Sequence, residues 1–196
     1  MSAPPAPPLV LASRSPQRRA ILEQLGIPFE VVVPSFDEEP SGTGPVAEVE
    51  RRARGKARSV AGGAEERPVL GVDTEVVLDG RVHGKPANEA DAEAMLEALS
   101  GRTHEVVSGL CLVTPGWEEV RHEVTRVSFR HLTPRELGVY VASGEWHERA
   151  GGYAIQGRGA ALVERIEGDY LNVVGLPATL LVRLLAGRFP GTYGFG

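Results

Sequence analysis

The segment LVLASRSPQRRAILEQLG, residues 9–26, combines a short strand, a tight turn and a helix, in the order that builds α/β proteins. Its first four residues are all apolar, which predicts a buried strand. Ser15 is suited to cap the helix that follows, and Pro16 is favoured at the first helical position. Apolar residues at helical spacing come next, and Gly26 marks the end of the helix.

The rest of the chain alternates between the same two kinds of pattern. Predicted strands cover residues 29–33, 69–72, 105–113, 120–129, 161–166 and 170–174, and predicted helices cover 45–60, 90–99, a segment that starts at 133, and 177–185. The Asp79-Gly80 pair is a strong hairpin signal, and hairpins favour a mixed sheet over a purely parallel one. We therefore predict an α/β fold with a mixed, twisted sheet flanked by helices.

The predicted domain covers residues 9–188, preceded by a disordered lead (1–8) and followed by a short tail (189–196). The chain of 196 residues is long enough to bury a sizeable core. The only cysteine, Cys111, lies in an apolar run, so it predicts a buried thiol and excludes a disulfide within one chain.

Charge and hydropathy exclude several classes of protein. The net charge is −5 and the pI is about 5.6, whereas a general nucleic-acid binder needs an excess of Lys and Arg. No apolar run approaches the ~20 residues that a membrane span needs. Residues 1–8 also lack the charged and apolar regions of a signal peptide. We expect a cytoplasmic protein that binds neither nucleic acid nor membrane.

The first turn of the first helix is cationic, with Arg18 and Arg19 close to the helix N-terminus. A helix N-terminus carries a partial positive charge, so acidic residues are the usual choice there. Free backbone N–H groups, the hydroxyl of Ser13 and the guanidinium groups can all donate to phosphate oxygens. The segment therefore predicts a phosphate site, and the alternative interpretation is a solvated basic face with a serine cap.

Acidic residues follow two of the predicted strands. Asp73 closes the apolar run 69–72, where a carboxylate is costly to bury unless it is paired, hydrogen-bonded or bound to a metal. The acidic run 37–39 follows another strand and can supply a second metal carboxylate. The alternatives are that Asp73 caps a turn and that the acidic run is a solvated loop.

Two lysines complete this set of charges. Lys85 lies between Gly84 and Pro86, and Lys56 lies on a helix among arginines, where a solvated face is the default interpretation. Carboxylates that hold Mg²⁺ beside cations that neutralise phosphate charge are what a metal–triphosphate complex requires. The sequence contains no Walker A loop, no zinc-ligand spacing of histidines and no Gly-x-Ser-x-Gly elbow.

A set of motifs in a fixed order resembles the Maf family, first named for septum formation inhibition. The motifs are LASRSPQRR (11–19), DE (37–38), ARGKA (53–57), GVDT (71–74), GKP (84–86), LSGRTH (99–104), GGYAIQG (151–157) and VVGLP (173–177). Each motif alone is weak, but together they extend over residues 9–185. The resemblance implies a mixed α/β fold with a deep cleft, related in shape to inosine triphosphate pyrophosphatases.

The resemblance also implies an activity, which is the metal-dependent hydrolysis of nucleoside triphosphates to monophosphates and pyrophosphate, often by a homodimer. By matching positions, Asp73 would be the catalytic carboxylate. Glu38 would join Asp73 in holding Mg²⁺ or Mn²⁺, or would hold the water. The residues that would hold the triphosphate are Ser13, Arg18, Arg19, Lys56 and Lys85.

Three positions would select the base: Gln17, Thr74 and Gln156. In the family branch that cleaves dTTP and UTP these positions hold Arg, Thr and Gln, and in the 7-methyl-GTP branch they hold Trp, Gln and Glu. Two of the three match the pyrimidine branch, and Gln17 matches neither. The alternatives are a purine-selective pyrophosphatase, for 7-methyl-GTP or of the inosine triphosphate type, and a non-catalytic regulator of cell division.

Overall fold

The computed structural model describes residues 7–196, so most of the predicted lead (1–8) lies outside the described residues. The strands are β1 (Leu9–Ala12), β2 (Phe29–Val32), β3 (Val69–Leu78), β4 (Arg81–His83), β5 (Thr103–Thr114), β6 (Trp117–Phe129) and β7 (Val163–Glu167). The helices are α1 (Pro16–Gln24), α2 (Pro45–Ala61), α3 (Glu89–Leu99), α4 (Pro134–Val141), α5 (Tyr170–Val174) and α6 (Ala178–Arg188). Short 3₁₀ helices cover Ala150–Gly152 and Arg158–Leu162.

The strands form a mixed seven-stranded sheet in the order β2-β1-β3-β5-β6-β7, with β4 paired to β3. β1 runs parallel to both β2 and β3, and the other pairs are antiparallel. Helices pack on both faces of the sheet, so the predicted α/β class is confirmed.

The turn and cap signals are confirmed in detail. The Ser15 hydroxyl accepts a hydrogen bond from the Arg18 amide, which caps α1. The helix predicted to start at residue 133 is α4, which begins with a capping box formed by Thr133 and Glu136. Asp79 and Gly80 both have positive φ, as the tight turn between β3 and β4 requires.

Three of the predictions are wrong. Residues 170–174 form α5 instead of a strand, because the Asp169 carboxylate accepts hydrogen bonds from two backbone amides and so starts a helix. Residues 158–162 are 3₁₀-helical, so the strand predicted over 161–166 becomes β7, which begins at Val163. Asp73 does not close its strand, since β3 continues to Leu78.

Helix α2 lies unusually close to the sheet. A Cβ atom added at Gly71 of β3 would meet the Ala53 carbonyl oxygen at 2.2 Å, and one added at Gly109 of β5 would meet the Val49 carbonyl oxygen at 2.2 Å. These two glycines let the helix backbone rest directly on the strands. Val49, Ala53 and Ala57 of α2 are fully buried in this contact.

The opposite face of the sheet carries two apolar clusters. One joins Leu70 and Val72 of β3 to α1 and α6, and the other joins Val76 and Leu78 to α3 and α4. Thr74 faces the same side, between the two clusters. The preceding residue, Asp73, points to the other side of the sheet, towards α2.

The residues after α6 also pack on this core. Tyr193 is buried, and its hydroxyl donates a hydrogen bond to the Pro7 carbonyl at 2.9 Å. The boundaries predicted for the domain and its tail stay predictions. Among residues 7–196, no helix has the length and apolar character that crossing a membrane requires.

We predict that Gly71→Ala lowers the free energy of unfolding by about 1–3 kcal/mol, because the added methyl group would push α2 away from β3. Urea unfolding followed by circular dichroism measures the change. Gly187→Ala in α6 is the matched control, since a Cβ atom there meets nothing within 4 Å. Equal stability of both variants would contradict close packing at Gly71.

Candidate active site

A cleft of about 690 Å³ opens where β1 ends and β3 continues. The last residues of β1 and β3 that pair are Ala12 and Gly71, so β3 has no parallel neighbour from Val72 onwards on that side. The cleft brings together most of the predicted site residues, namely Ser13, Gln17, Arg18, Glu38, Lys56, Asp73, Thr74, Lys85 and Gln156. Arg19 is exposed and does not line the cleft.

A buried ion pair forms the centre of the cleft. Lys56 Nζ lies 2.6 Å from Asp73 Oδ1 and 3.1 Å from Glu38 Oε1, so one ammonium group bridges both predicted carboxylates. The Lys56 and Asp73 side chains are each more than 90 % buried, whereas Glu38 is half exposed. The alternative interpretations of Asp73 as a turn cap and of Lys56 as part of a solvated face are wrong.

Asp73 keeps one carboxylate oxygen free. Asp73 Oδ2 is buried and makes no hydrogen bond with the described residues, although Arg52 Nη1 lies 3.7 Å away. Arg52 is bound instead to Glu75, at 2.7 Å between Nη1 and Oε1. Burial raises the pKa of Glu75, and the nearby Asp73 carboxylate adds to this effect. Asp73 Oδ2 is therefore available to a water molecule or a cation.

Arg52 and Glu75 are not among the site residues predicted from the sequence. A signal was present, because residues 73 and 75 share one face of a strand and residues 52 and 56 share one face of a helix. This spacing shows which residues share a face of the strand and which share a face of the helix. It does not show that the two faces meet, because that depends on where α2 packs.

Arg18 connects α1 to the floor of the cleft. Its guanidinium group donates to the Gly175 carbonyl at 2.9 Å, to the Ser13 hydroxyl at 3.2 Å and to the Thr74 hydroxyl at 3.2 Å. Burial lowers the pKa of Arg18, and the Asp73 and Glu38 carboxylates oppose this shift. An anion in the cleft would thus meet a positive charge held in place by neutral partners.

Lys85 lies at the rim of the cleft and forms an ion pair with Glu148. Both side chains are largely exposed, and the pair lowers the pKa of Glu148. The Gly151 amide donates to the Gly84 carbonyl at 3.0 Å, which ties the two walls together beside this pair. Glu148 also lines the cleft, although it lies outside the motifs that resemble the family.

The wall that carries Gln156 also contains a buried aromatic group. Tyr153 lines the cleft, and its hydroxyl lies 2.9 Å from His104 Nε2. Burial lowers the pKa of His104 to about 4, so the imidazole is neutral near pH 7. Gln156 itself is exposed and makes no side-chain hydrogen bond with the described residues.

The loop of residues 33–44 carries Glu38 and is held by Glu48 of α2. Ser41 donates to Glu48 Oε2 from its amide, at 3.2 Å, and from its hydroxyl. Arg51 Nη2 lies 2.6 Å from Glu48 Oε1. These hydrogen bonds, that of Arg51 first, hold the pKa of Glu48 at about 2.

The arrangement suits the binding of a polyphosphate. Cationic side chains surround a carboxylate that has one free oxygen, and the cleft is wide enough for a small ligand. Within residues 7–196, no three His, Cys, Asp or Glu side chains come together in a way that would hold a metal ion by themselves.

Comparisons with known proteins find several similar chains. The model of the family described as Maf-like protein matches residues 8–188. A protein of Moorella thermoacetica named dTTP/UTP pyrophosphatase is 52 % identical over 91 % of this chain and 93 % of its own length. A protein of the same name from Deinococcus radiodurans is 45 % identical over 99 % of this chain and 100 % of its own. The Staphylococcus aureus Ham1 protein has a TM-score of 0.46 and 19 % identity, over 63 % of this chain and 72 % of that one.

We predict that ionised Glu48 stabilises the fold. Its pKa falls from 4.5 to about 2 in the folded protein, so this stabilisation is complete above the unfolded pKa and is lost as the pH falls towards about 2. Glu48→Gln should lower the free energy of unfolding near pH 7 by about 1–3 kcal/mol, and less near pH 3.

Urea unfolding at a series of pH values tests this expectation. Glu93→Gln, on the exposed face of α3, is the control and should change little at any pH. A Glu48→Gln deficit that stays constant between about pH 7 and pH 3 would mean that the charge of Glu48 does not stabilise the loop.

Proposed function

This chain belongs to the family of Maf-like proteins, and we propose that it hydrolyses dTTP and UTP to the nucleoside monophosphate and pyrophosphate. The observation that carries the proposal is the buried Asp73 carboxylate, which has one free oxygen and is surrounded by cations that line a single cleft. Relatives that are 45–52 % identical over most of the chain carry the name of this activity.

The triphosphate is the ligand that fits these charges. Ser13 and Arg18 offer hydroxyl and guanidinium donors at the start of α1, and Lys56 and Lys85 supply ammonium groups. Arg18 is held by three oxygen acceptors and so keeps its direction when phosphate oxygens approach. Arg19, which lies outside the cleft, has no contact that supports a part in holding the triphosphate.

A divalent cation fits the donor set. Asp73 Oδ2 is a buried carboxylate oxygen that makes no hydrogen bond within residues 7–196, and Glu38 lies on the other side of the Lys56 ammonium group. Mg²⁺ commonly uses one or two carboxylates together with substrate phosphates, so Asp73 and Glu38 are sufficient in number. When bound, Mg²⁺ or Mn²⁺ would neutralise part of the triphosphate charge.

The protein residues then have distinct parts in the reaction. Asp73 accepts a proton from water as the water oxygen bonds to the α-phosphorus, and the bond from this phosphorus to the bridging oxygen of pyrophosphate breaks. Lys56 holds Asp73 in position, because the ammonium group lies 2.6 Å from Oδ1. Arg18 and Lys85 stabilise the charge that develops on the departing pyrophosphate.

Base selection falls to the residues on the two walls of the cleft. Gln156 has a free amide, which offers both a donor and an acceptor to the O4 and N3–H edge of uracil or thymine. The Thr74 hydroxyl already forms hydrogen bonds with Arg18 and Ser108. Thr74 would therefore shape the floor of the site without binding the base directly. Gln17 accepts a hydrogen bond from Ser15 at 3.0 Å, which orients it beside the helix start. A homodimer and a cytoplasmic location are expected from the family and stay predictions.

We predict that the purified protein, with Mg²⁺ or Mn²⁺, releases pyrophosphate and a nucleoside monophosphate from dTTP and UTP. Asp73→Asn should lower kcat by about 10²–10⁴-fold, since the amide cannot accept the proton from water. A panel of nucleotides with product analysis by ion-exchange chromatography gives both results.

The control is Asp79→Asn, the same change in the exposed turn between β3 and β4. Release of orthophosphate and a diphosphate would place cleavage at the γ-phosphate and overturn the proposal. Preference for inosine triphosphate or 7-methyl-GTP would favour the purine alternative. Absence of any hydrolysis would favour a regulatory protein.

We predict that Gln156→Glu lowers kcat/KM for UTP roughly 5–150-fold, because a carboxylate lacks the donor that the pyrimidine O4 requires. The same change suits the N1–H and N2 donors of guanine, so activity on 7-methyl-GTP should fall much less. Steady-state kinetics with both substrates provide the ratio. Gln24→Glu, exposed at the end of α1, is the matched control. An equal loss on both substrates would show that Gln156 does not contact the base.

A further inference from the structure

Gly55 lies in the middle of α2, where glycine is unfavourable. A glycine in a helix interior costs about 0.5–1 kcal/mol relative to alanine, because its backbone loses more conformational freedom on folding. A residue that disfavours the secondary structure in which it lies often has another role at that position. The contacts of Gly55 identify this role.

The ring of Phe36 occupies the space that a side chain at position 55 would take. A Cβ atom on Gly55 would lie 2.1 Å from Phe36 Cε2 and 2.4 Å from Cδ2 and Cζ. Three atoms of one rigid ring are involved, so a small rotation of the ring does not remove the overlap. Phe36 can lie on α2 in this position only because residue 55 has no side chain.

Arg51 covers the same ring. Its guanidinium carbon lies 5.4 Å from the Phe36 ring centroid, within the range of a cation–π contact. The Arg51 guanidinium group also donates to the Glu39 carbonyl at 2.6 Å. One arginine on α2 therefore holds the loop on both sides of Glu38.

The position of Glu38 depends on the contact of Phe36 with Gly55 and Arg51, which we call the seat of Phe36. Glu38 is two residues from Phe36, its side chain is half exposed, and its ion pair is the 3.1 Å contact with Lys56. Phe36 itself lines the cleft beside Glu38 and Lys56. The loop of residues 33–44 has no secondary structure, so side-chain anchors determine where its carboxylate lies.

We propose that Phe36, seated on Gly55 beneath Arg51, is a positioning residue that sets the place of Glu38 relative to the Asp73–Lys56 pair. The proposal rests on the proposed hydrolysis, in which Glu38 acts at the reacting centre. Of the residues proposed to hold the triphosphate, Ser13, Arg18 and Lys85 lie outside both α2 and the loop of residues 33–44. Loss of the seat should therefore affect the chemical step more than substrate binding.

Gly55→Ala is the direct test, because the added methyl group expels the ring from its seat. Since small misplacements of reacting groups are costly, kcat should fall about 10- to 100-fold, while KM for UTP changes little. Amide hydrogen exchange over residues 34–44, followed by mass spectrometry, should become faster in the same variant. Gly138→Ala in α4 is the control, since a Cβ atom there meets nothing within 4 Å.

Phe36→Leu gives a second measurement if Gly55→Ala fails to fold, because leucine is smaller than the ring and removes the cation–π contact. Faster exchange over residues 34–44 with a lower kcat and similar KM supports the proposal in either variant. Unchanged exchange overturns the seat, and faster exchange with an unchanged kcat overturns its positioning role. Should the wild-type protein hydrolyse no triphosphate, the proposed function fails, while hydrogen exchange still decides whether the seat holds the loop.

Discussion

The close approach of α2 to the sheet is the contact on which the candidate site depends. Gly71 and Gly109 present no side chains to the helix, so its backbone lies directly on β3 and β5. At this separation the Lys56 ammonium group reaches Asp73 at 2.6 Å, and Arg52 reaches Glu75 at 2.7 Å. Apolar packing of α2 thus produces the charge pairs, because a helix one side chain further away would leave these carboxylates buried without partners.

The difference in length between two parallel strands creates the space for a ligand. β1 ends at Ala12, whereas β3 continues to Leu78. Asp73 and Thr74 therefore lie in a part of β3 that has no parallel neighbour. Polar side chains of α1 and of the loop before α2 fill the edges of this region. Ligand sites in α/β proteins usually lie at the carboxyl ends of parallel strands, and β1 supplies such an end here.

The cations of the cleft differ in how firmly they are held. Lys56 is buried against Asp73, and separating such a pair leaves a costly unpaired charge, so we expect it to stay in place. Lys85 forms its ion pair with Glu148 in an exposed position, where such pairs contribute about 0–1 kcal/mol. A triphosphate can therefore displace Glu148 at little cost, while the pair around Asp73 stays assembled. The ion pair at the centre of the cleft is therefore fixed, whereas Lys85 at the rim can exchange its partner.

The sequence by itself determined much of the local structure, and most of the site residues that it predicts line one cleft. Ser15, Pro16 and Gly26 delimit α1, the Asp79-Gly80 turn delimits a hairpin, and the ordered motifs identify the family, because these signals depend on neighbouring residues. The helix of residues 170–174 also follows from a local signal, the Asp169 cap. Only the tertiary structure decided that Asp73 lies within a strand and that Arg52 and Glu75 join it. It also placed Phe36 on Gly55 and left Arg19 outside the cleft. The reason is physical: these outcomes depend on how closely α2 packs on β3 and β5 and on where β1 ends, and no local pattern encodes a distance between distant segments.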